Sequence, residues 1–239
     1  MSAPSAPTRL DKYVAAMLPC SRSEAQQYIE GGWVSVDGVV VEEPQAAVTT
    51  QQVTLAADAQ LGAIEPATLL LHKPAGMDLD AALALVRPDT RSALDTSEVR
   101  VLKRHFLRLN APLPLESAAS GLLVLSQDGR VLRRLTEDAS AIEQEFVVEV
   151  RGELRPYGML RLAHGLVYQQ RSLPPCKVSW QNEDRLRFAI KHVQPGQLQA
   201  MCAEVGLEAI SLRRLRIGRI PLGKLAPGEW RYLPGGERF

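Results

Sequence analysis

The chain has 239 residues, with 28 basic and 27 acidic side chains and a formal net charge of +1. This length allows one large domain, or a small and a medium one, and a hydrophobic content of 46% is enough for a packed core. The near balance of charge excludes a strongly basic nucleic-acid-binding chain, so any nucleic-acid contact must come from local clusters.

Cysteine spacing and hydropathy exclude four further classes of protein. Cys20, Cys176 and Cys202 are odd in number and scattered, so the sequence predicts neither a disulfide framework nor a zinc site. The N-terminal residues contain no apolar run typical of a signal peptide, and no stretch approaches the length of a membrane span. We therefore expect a cytoplasmic protein without membrane contact or bound metal.

Residues 1–58 predict a small domain of two helices and a hairpin. Apolar residues between Leu10 and Leu18 recur at three- and four-residue spacing, which indicates one buried helix face. Ser21 and Glu24 form a capping-box pattern that begins a second helix. Two valine-rich strands then flank Asp37-Gly38, a strong hairpin signal. Residues 59–66, rich in small side chains, predict a linker.

Residues 67–239 predict a second domain in which strands and helices are mixed. Strands are expected over residues 69–71, 122–125, 146–150, 186–190 and 210–217, and helices over 81–86, 131–135 and 197–205. Regular βαβ alternation is missing from this order. The prediction is therefore an α+β fold, in which the small helical and hairpin domain precedes a mixed, mainly antiparallel β-sheet domain.

Three segments of the first domain resemble, in this order, the alpha-L RNA-binding domain of S-four type. They are Arg9–Tyr13, Ser21–Ala25 and Gly32–Gly38. The resemblance implies that Arg9, Lys12 and Arg22 contact RNA, because cationic side chains on the two helices would neutralise backbone phosphates. Their charge alone would favour a solvated face.

The rest of the chain, from about residue 69 to 230, resembles the pseudouridine synthases that modify ribosomal RNA and carry such a leading domain. The matching segments, in chain order, are Leu71–Gly76, Ser120–Gly129, Leu173–Val178 and Ile217–Arg231. The resemblance implies RNA, and ribosomal RNA in particular, as the partner. It also implies a reaction that needs neither a metal nor any other cofactor, and it leaves protein partners unknown.

Three positions depart from the active site of the resembled family. Glu116 stands where the family has the aspartate that attacks the nucleoside, Phe146 where a tyrosine stacks on the base, and Gln199 where a basic residue pairs with the aspartate. Glutamate moves the carboxylate by about 1 Å, a displacement that can lower a rate about a hundredfold. Phenylalanine lacks the hydroxyl, and glutamine supplies no charge.

These substitutions leave three hypotheses open. The first is an RNA-binding, pseudouridine synthase-like protein with weak or no isomerase activity. The second is an active isomerase in which Glu116 is the nucleophile and a cation lies within reach of its carboxylate. If the motif of the late helix is misaligned, Arg213 or Arg214 would supply that cation from a neighbouring strand. The third is a non-enzymatic assembly or interaction factor that keeps the fold as a scaffold.

A further basic cluster lies near the end of the chain. Arg214 and Arg216 alternate in a predicted strand, so they are expected to share one face. That face would be either a solvated charged surface or a phosphate-contacting rim of the RNA cleft. We include both arginines, together with Lys73, among the predicted RNA-binding residues.

Overall fold

The structure is a computed structural model that describes residues 6–62 and 64–239. Residues 1–5 of the predicted first domain and residue 63 of the predicted linker lie outside it. Two compact units are present, one of residues up to Pro66 with Arg100–Leu107, the other of Ala67–Val99 with Arg108–Phe239. Both contain helices and strands, which confirms the α+β class. No described helix has the length and apolarity to cross a bilayer.

The first unit combines two helices with short strands. Its elements are β1 Thr8–Arg9, α1 Leu10–Met17, α2 Arg22–Glu30, β2 Val34–Val36, β3 Val39–Val40, β4 Ala47–Val48 and β5 Val53–Leu55. The strands form a sheet of order β3-β2-β5 and a separate β1–β4 pair. Leu10, Val14 and Ile29 of the helices are fully buried beneath Val34 of the sheet.

Both turn signals of this unit are confirmed. The Glu24 N–H donates to Ser21 Oγ at 3.2 Å and the Ser21 N–H donates to the Glu24 carboxylate at 2.7 Å, so a capping box begins α2. Asp37 and Gly38 have φ angles of 49° and 81°, the left-handed conformations that a two-residue hairpin of this kind requires.

The segment Arg100–Leu107 belongs to the first unit, although the sequence predicted all of residues 67–239 as one domain. The Arg100 guanidinium lies 3.8 Å from the centroid of the Trp33 ring and donates to the Gly32 carbonyl at 3.0 Å. Leu102 is buried against the same turn, and the Lys103 ammonium pairs with Glu43 at 2.8 Å. Stacking, burial and ion pairing thus fix this distant segment to the unit.

The second unit is built on an eight-stranded sheet of order β11-β12-β8-β13-β7-β6-β15, with β14 paired to β13. Its strands are β6 Thr68–Lys73, β7 Ser120–Ser126, β8 Glu143–Gly152, β11 Lys177–Asn182, β12 Arg185–Lys191, β13 Leu207–Ile217, β14 Ile220–Pro221 and β15 Trp230–Tyr232, and a separate hairpin is formed by β9 Val167–Tyr168 and β10 Arg171–Ser172. Among the strand pairs described in this sheet, only β7–β13 is parallel. The predicted mixed, mainly antiparallel sheet is confirmed.

Four helices accompany the sheet: α3 Leu79–Ala84, α4 Gly129–Thr136, α5 Gly158–Ala163 and α6 Gln197–Glu204. Helix α3 begins two residues before the predicted start, because the Asp78 carboxylate caps it by accepting from the Ala81 N–H at 2.8 Å. Helix α6 packs its buried Leu198 and Cys202 into a core with Phe188 of β12.

One glycine sets how closely β7 approaches β13. A Cβ added at Gly121 would lie 2.2 Å from the Arg214 carbonyl oxygen, and the φ of Gly121 is +106°. Any side chain would therefore separate the two strands. This close approach fixes the loop that precedes β7 beside Arg214 of β13.

Candidate active site

Glu116 lies in the loop before β7, and Lys73 holds this loop in place. The Lys73 side chain has no exposed surface. Its Nζ donates to the carbonyls of Ala119 at 2.8 Å, Glu116 at 3.1 Å, and Ser117 and Pro74 at 3.2 Å. Burial lowers the pKa of this ammonium. The prediction that Lys73 contacts RNA is therefore corrected, because the group is interior and already has carbonyl acceptors.

Two neutral donors at the start of α6 bind the Glu116 carboxylate. The Gly196 N–H donates to Oε1 at 2.7 Å, and Gln199 Nε2 donates to Oε2 at 3.1 Å. Because Gly196 is the N-cap of α6, the carboxylate lies where the helix macrodipole favours negative charge. Within residues 6–62 and 64–239, Glu116 forms no ion pair.

A cavity of about 120 Å³ opens beside this carboxylate. Its lining comprises Leu113, Pro114, Glu116, Gln144, Phe146, Val193, Gln194, Pro195 and Arg214. Phe146 and Arg214 are register partners in β8 and β13, and the guanidinium carbon lies 6.0 Å from the centroid of the Phe146 ring. The fold thus brings together Glu116, Phe146 and, through its hydrogen bond to Glu116, Gln199.

Arg214 is an interior residue of this cavity wall. Its side chain is 2% exposed, and it donates from Nε to the Leu122 carbonyl at 2.8 Å, from Nη2 to the Leu113 carbonyl at 2.7 Å and from Nη1 to Gln144 Oε1 at 3.1 Å. Burial without a carboxylate partner among the described residues lowers the pKa of Arg214 to about 9. The prediction that Arg214 lies on an exposed rim is wrong.

Comparisons with known proteins identify an RNA-binding domain and similar enzymes. Residues 8–53 match the S4 domain. The chain is 25% identical over 232 residues to an uncharacterized RNA pseudouridine synthase of Aquifex aeolicus, covering 96% of this chain and 94% of that protein. It is 28% identical to ribosomal small subunit pseudouridine synthase A of Yersinia pestis, covering 96% of each.

The fold is also similar to that of a solved structure. The crystal structure of a pseudouridylate synthase matches 94% of this chain and 95% of its own, with a TM-score of 0.59 and 20% sequence identity. Over nearly its whole length, the chain is similar to RNA pseudouridine synthases. Among the residues that the structure describes, no group of three His, Cys, Asp or Glu side chains could hold a metal ion.

Arg216 of this pseudouridine synthase homologue points away from the cavity. An irregularity in the β8–β13 register separates Arg214 from Arg216, so the expected alternation of side chains is interrupted. Arg216 instead donates from Nε to Glu145 at 3.0 Å and from Nη2 to Glu143 at 2.7 Å. The prediction that the two arginines share one face is wrong, because their register partners, Phe146 and Glu145, are adjacent in β8 and point to opposite sides of the sheet.

In the S4 domain, two of the three predicted RNA-binding residues are joined by a buried carboxylate. Asp11 has no exposed surface and accepts from Arg9 and Arg22, each with an Nη2 to Oδ2 distance of 3.1 Å. Burial raises the pKa of Asp11, but hydrogen bonds from Arg9, Gln26 and Arg22 outweigh this effect and hold it well below its usual range. The arginine side chains remain 52% and 57% exposed, and the neighbouring Lys12 is exposed as well.

Proposed function

We propose that this pseudouridine synthase homologue binds structured ribosomal RNA through its S4 domain and has weak or no isomerase activity. The surroundings of Glu116 support this proposal. Its carboxylate accepts hydrogen bonds from a backbone amide and from Gln199, and no cation among the described residues pairs with it. The names of relatives such as ribosomal small subunit pseudouridine synthase A favour ribosomal RNA as the target.

The chemistry of base isomerisation explains why this arrangement is unfavourable. The base must leave the sugar, turn and rejoin through carbon, which requires an ionised carboxylate at a fixed distance from the nucleoside. An arginine in contact would hold and orient such a carboxylate by a bidentate pair of hydrogen bonds between opposite charges. Gln199 donates one hydrogen bond to the carboxylate, at 3.1 Å, and brings no positive charge. Phe146 lines the cavity but is only 3% exposed, and it has no hydroxyl group.

One observation favours a second function, an active isomerase that uses Glu116. The Gly196 amide and the beginning of α6 stabilise negative charge on Glu116, and Arg214 lines the same cavity. In this alternative the electrostatic support comes from the helix and from a cation outside hydrogen-bonding distance. The two functions differ in whether pseudouridine is formed.

The proposal is tested by mapping pseudouridine in ribosomal RNA from cells with and without the gene, by chemical derivatisation and mass spectrometry. We expect identical maps. A site that disappears with the gene and is not restored by a Glu116→Ala variant would establish the active isomerase instead.

RNA binding is tested separately with the purified protein. We expect affinity for ribosomal RNA to fall as salt increases, with the slope reduced by about one for Lys12→Gln, because one phosphate contact is lost. Arg133→Gln is the control, since it removes another exposed cation, from α4 in the second unit. No binding at low salt would refute the proposal, as would equal effects of the two variants.

A further inference from the structure

We propose that Tyr168 is a positioning residue for Glu116, acting through a single peptide group. The Tyr168 hydroxyl donates to the Pro195 carbonyl at 2.6 Å. The Gly196 N–H that binds Glu116 at 2.7 Å belongs to the same peptide group as that carbonyl. Tyr168 and Glu116 therefore hold opposite ends of one planar unit.

Peptide geometry makes this connection rigid. The carbonyl and N–H of a trans peptide lie in one plane and point in opposite directions, so fixing the carbonyl also fixes the direction of the N–H. A donor to the carbonyl also polarises the peptide and strengthens its N–H as a donor. The Tyr168 hydroxyl thus both aims and strengthens the bond that Glu116 accepts from Gly196.

Packing around Gly196 supports the same role. A Cβ added at Gly196 would lie 2.9 Å from Tyr168 Oη, and the φ of Gly196 is +74°. The hydroxyl therefore occupies the space that a side chain would need. The loop is also held by Gln197, whose N–H donates to the Gln194 carbonyl and whose Oε1 accepts from the Gln194 N–H, both at 3.1 Å.

The turn of the hairpin that carries Tyr168 has an unfavourable backbone conformation. Strands β9 and β10 are joined by Gln169 and Gln170, whose φ angles are 48° and 63°. Left-handed backbone is costly for non-glycine residues, and hairpins with two such positions strongly prefer asparagine and glycine. The hairpin nevertheless presents Tyr168 to the loop that lines the cavity.

The inference rests on the proposed function in one respect, namely that the cavity beside Glu116 is the nucleotide-binding site. Its test uses the protein alone. Hydrogen exchange of the Gly196 amide is followed by NMR in wild type, Tyr168→Phe and the control Tyr157→Phe, whose tyrosine is 81% exposed. Loss of one hydrogen bond should accelerate this exchange roughly two- to tenfold in Tyr168→Phe and leave it unchanged in Tyr157→Phe.

A double-mutant cycle separates positioning from general support of the fold. If Tyr168 acts on the bond to Glu116, the acceleration should become much smaller in a Glu116→Ala background. The thermal midpoints of the two tyrosine variants should be similar. Unchanged exchange in Tyr168→Phe, or an equal acceleration with and without Glu116, would overturn the inference. Pseudouridine formation by the wild type would contradict the proposed function and leave this result unaffected.

Discussion

If the absence of a cation at Glu116 causes the low activity that we propose, introducing a charge pair there should increase catalysis. The double variant Glu116→Asp, Gln199→Arg shortens the carboxylate by one methylene and places a guanidinium where a neutral amide now donates at 3.1 Å. The two changes compensate in length, because the shorter aspartate leaves room for the longer arginine. The Gly196 N–H and the Lys73-bound loop would remain to orient the carboxylate.

The expected gain follows from two contributions. Moving the carboxylate back by about 1 Å should increase the rate of the chemical step roughly a hundredfold. Replacing the neutral donor to the carboxylate by a cationic one adds about 1 kcal/mol, or roughly fivefold. Because the two residues are in contact, their effects are coupled, and each single variant should gain far less than the pair.

The assay is single-turnover conversion of uridine in a ribosomal RNA transcript, with pseudouridine quantified after nuclease digestion. Ala200→Arg combined with Glu116→Asp is the control, since it adds the same charge one residue further along α6, about 100° around the helix. Suppose that the double variant is folded and binds RNA like wild type, yet forms no more pseudouridine than wild type does. The absence of a charge pair at Glu116 would then not be the reason for the low activity that we propose.

Three further predictions concern stability. Asp11→Asn should lower the free energy of unfolding at pH 7 by roughly 1–2 kcal/mol, because the charged acceptor is lost while both arginines stay hydrated. Since folding lowers the pKa of Asp11, its contribution is present above about pH 4 and is lost on acidification, so urea unfolding of variant and wild type should converge at low pH. Gly121→Ala should destabilise the second unit by more than about 3 kcal/mol in thermal unfolding, because its Cβ would meet the Arg214 carbonyl at 2.2 Å; unchanged melting would contradict this packing. Gln170→Gly should instead stabilise by roughly 0.5–1 kcal/mol by relieving a left-handed residue, and a lower melting temperature would count against that strain.

Local signals in the sequence predicted much of the fold correctly. The capping box of Ser21 and Glu24 and the hairpin at Asp37-Gly38 depend on residues close in the chain, and both have the expected geometry. The alignment of family motifs also predicted a contact that spacing alone could not. Glu116 and Gln199 are separated by 83 residues, yet their side chains are hydrogen-bonded.

Local sequence signals could not predict features that depend on strand register or on hydrogen-bond acceptors far away in the chain. From the sequence, Lys73 is expected to be an exposed cation. It is buried instead, because the carbonyls that accept from it lie up to 46 residues further along the chain. The irregularity between Arg214 and Arg216 reverses the face of one arginine, and the sequence contains no glycine that would indicate a bulge there. Likewise, Arg100 and Leu102 lie in a region of low periodicity, and their attachment to the first unit follows from tertiary contacts.

The most direct test of the proposal that this protein has weak or no isomerase activity is single-turnover conversion of uridine by the purified wild-type protein. With protein in excess over a ribosomal RNA that it binds, we expect pseudouridine at or near the level obtained with Glu116→Ala. Rapid, stoichiometric conversion that is abolished by Glu116→Ala would contradict the account and would identify Glu116 as a working nucleophile.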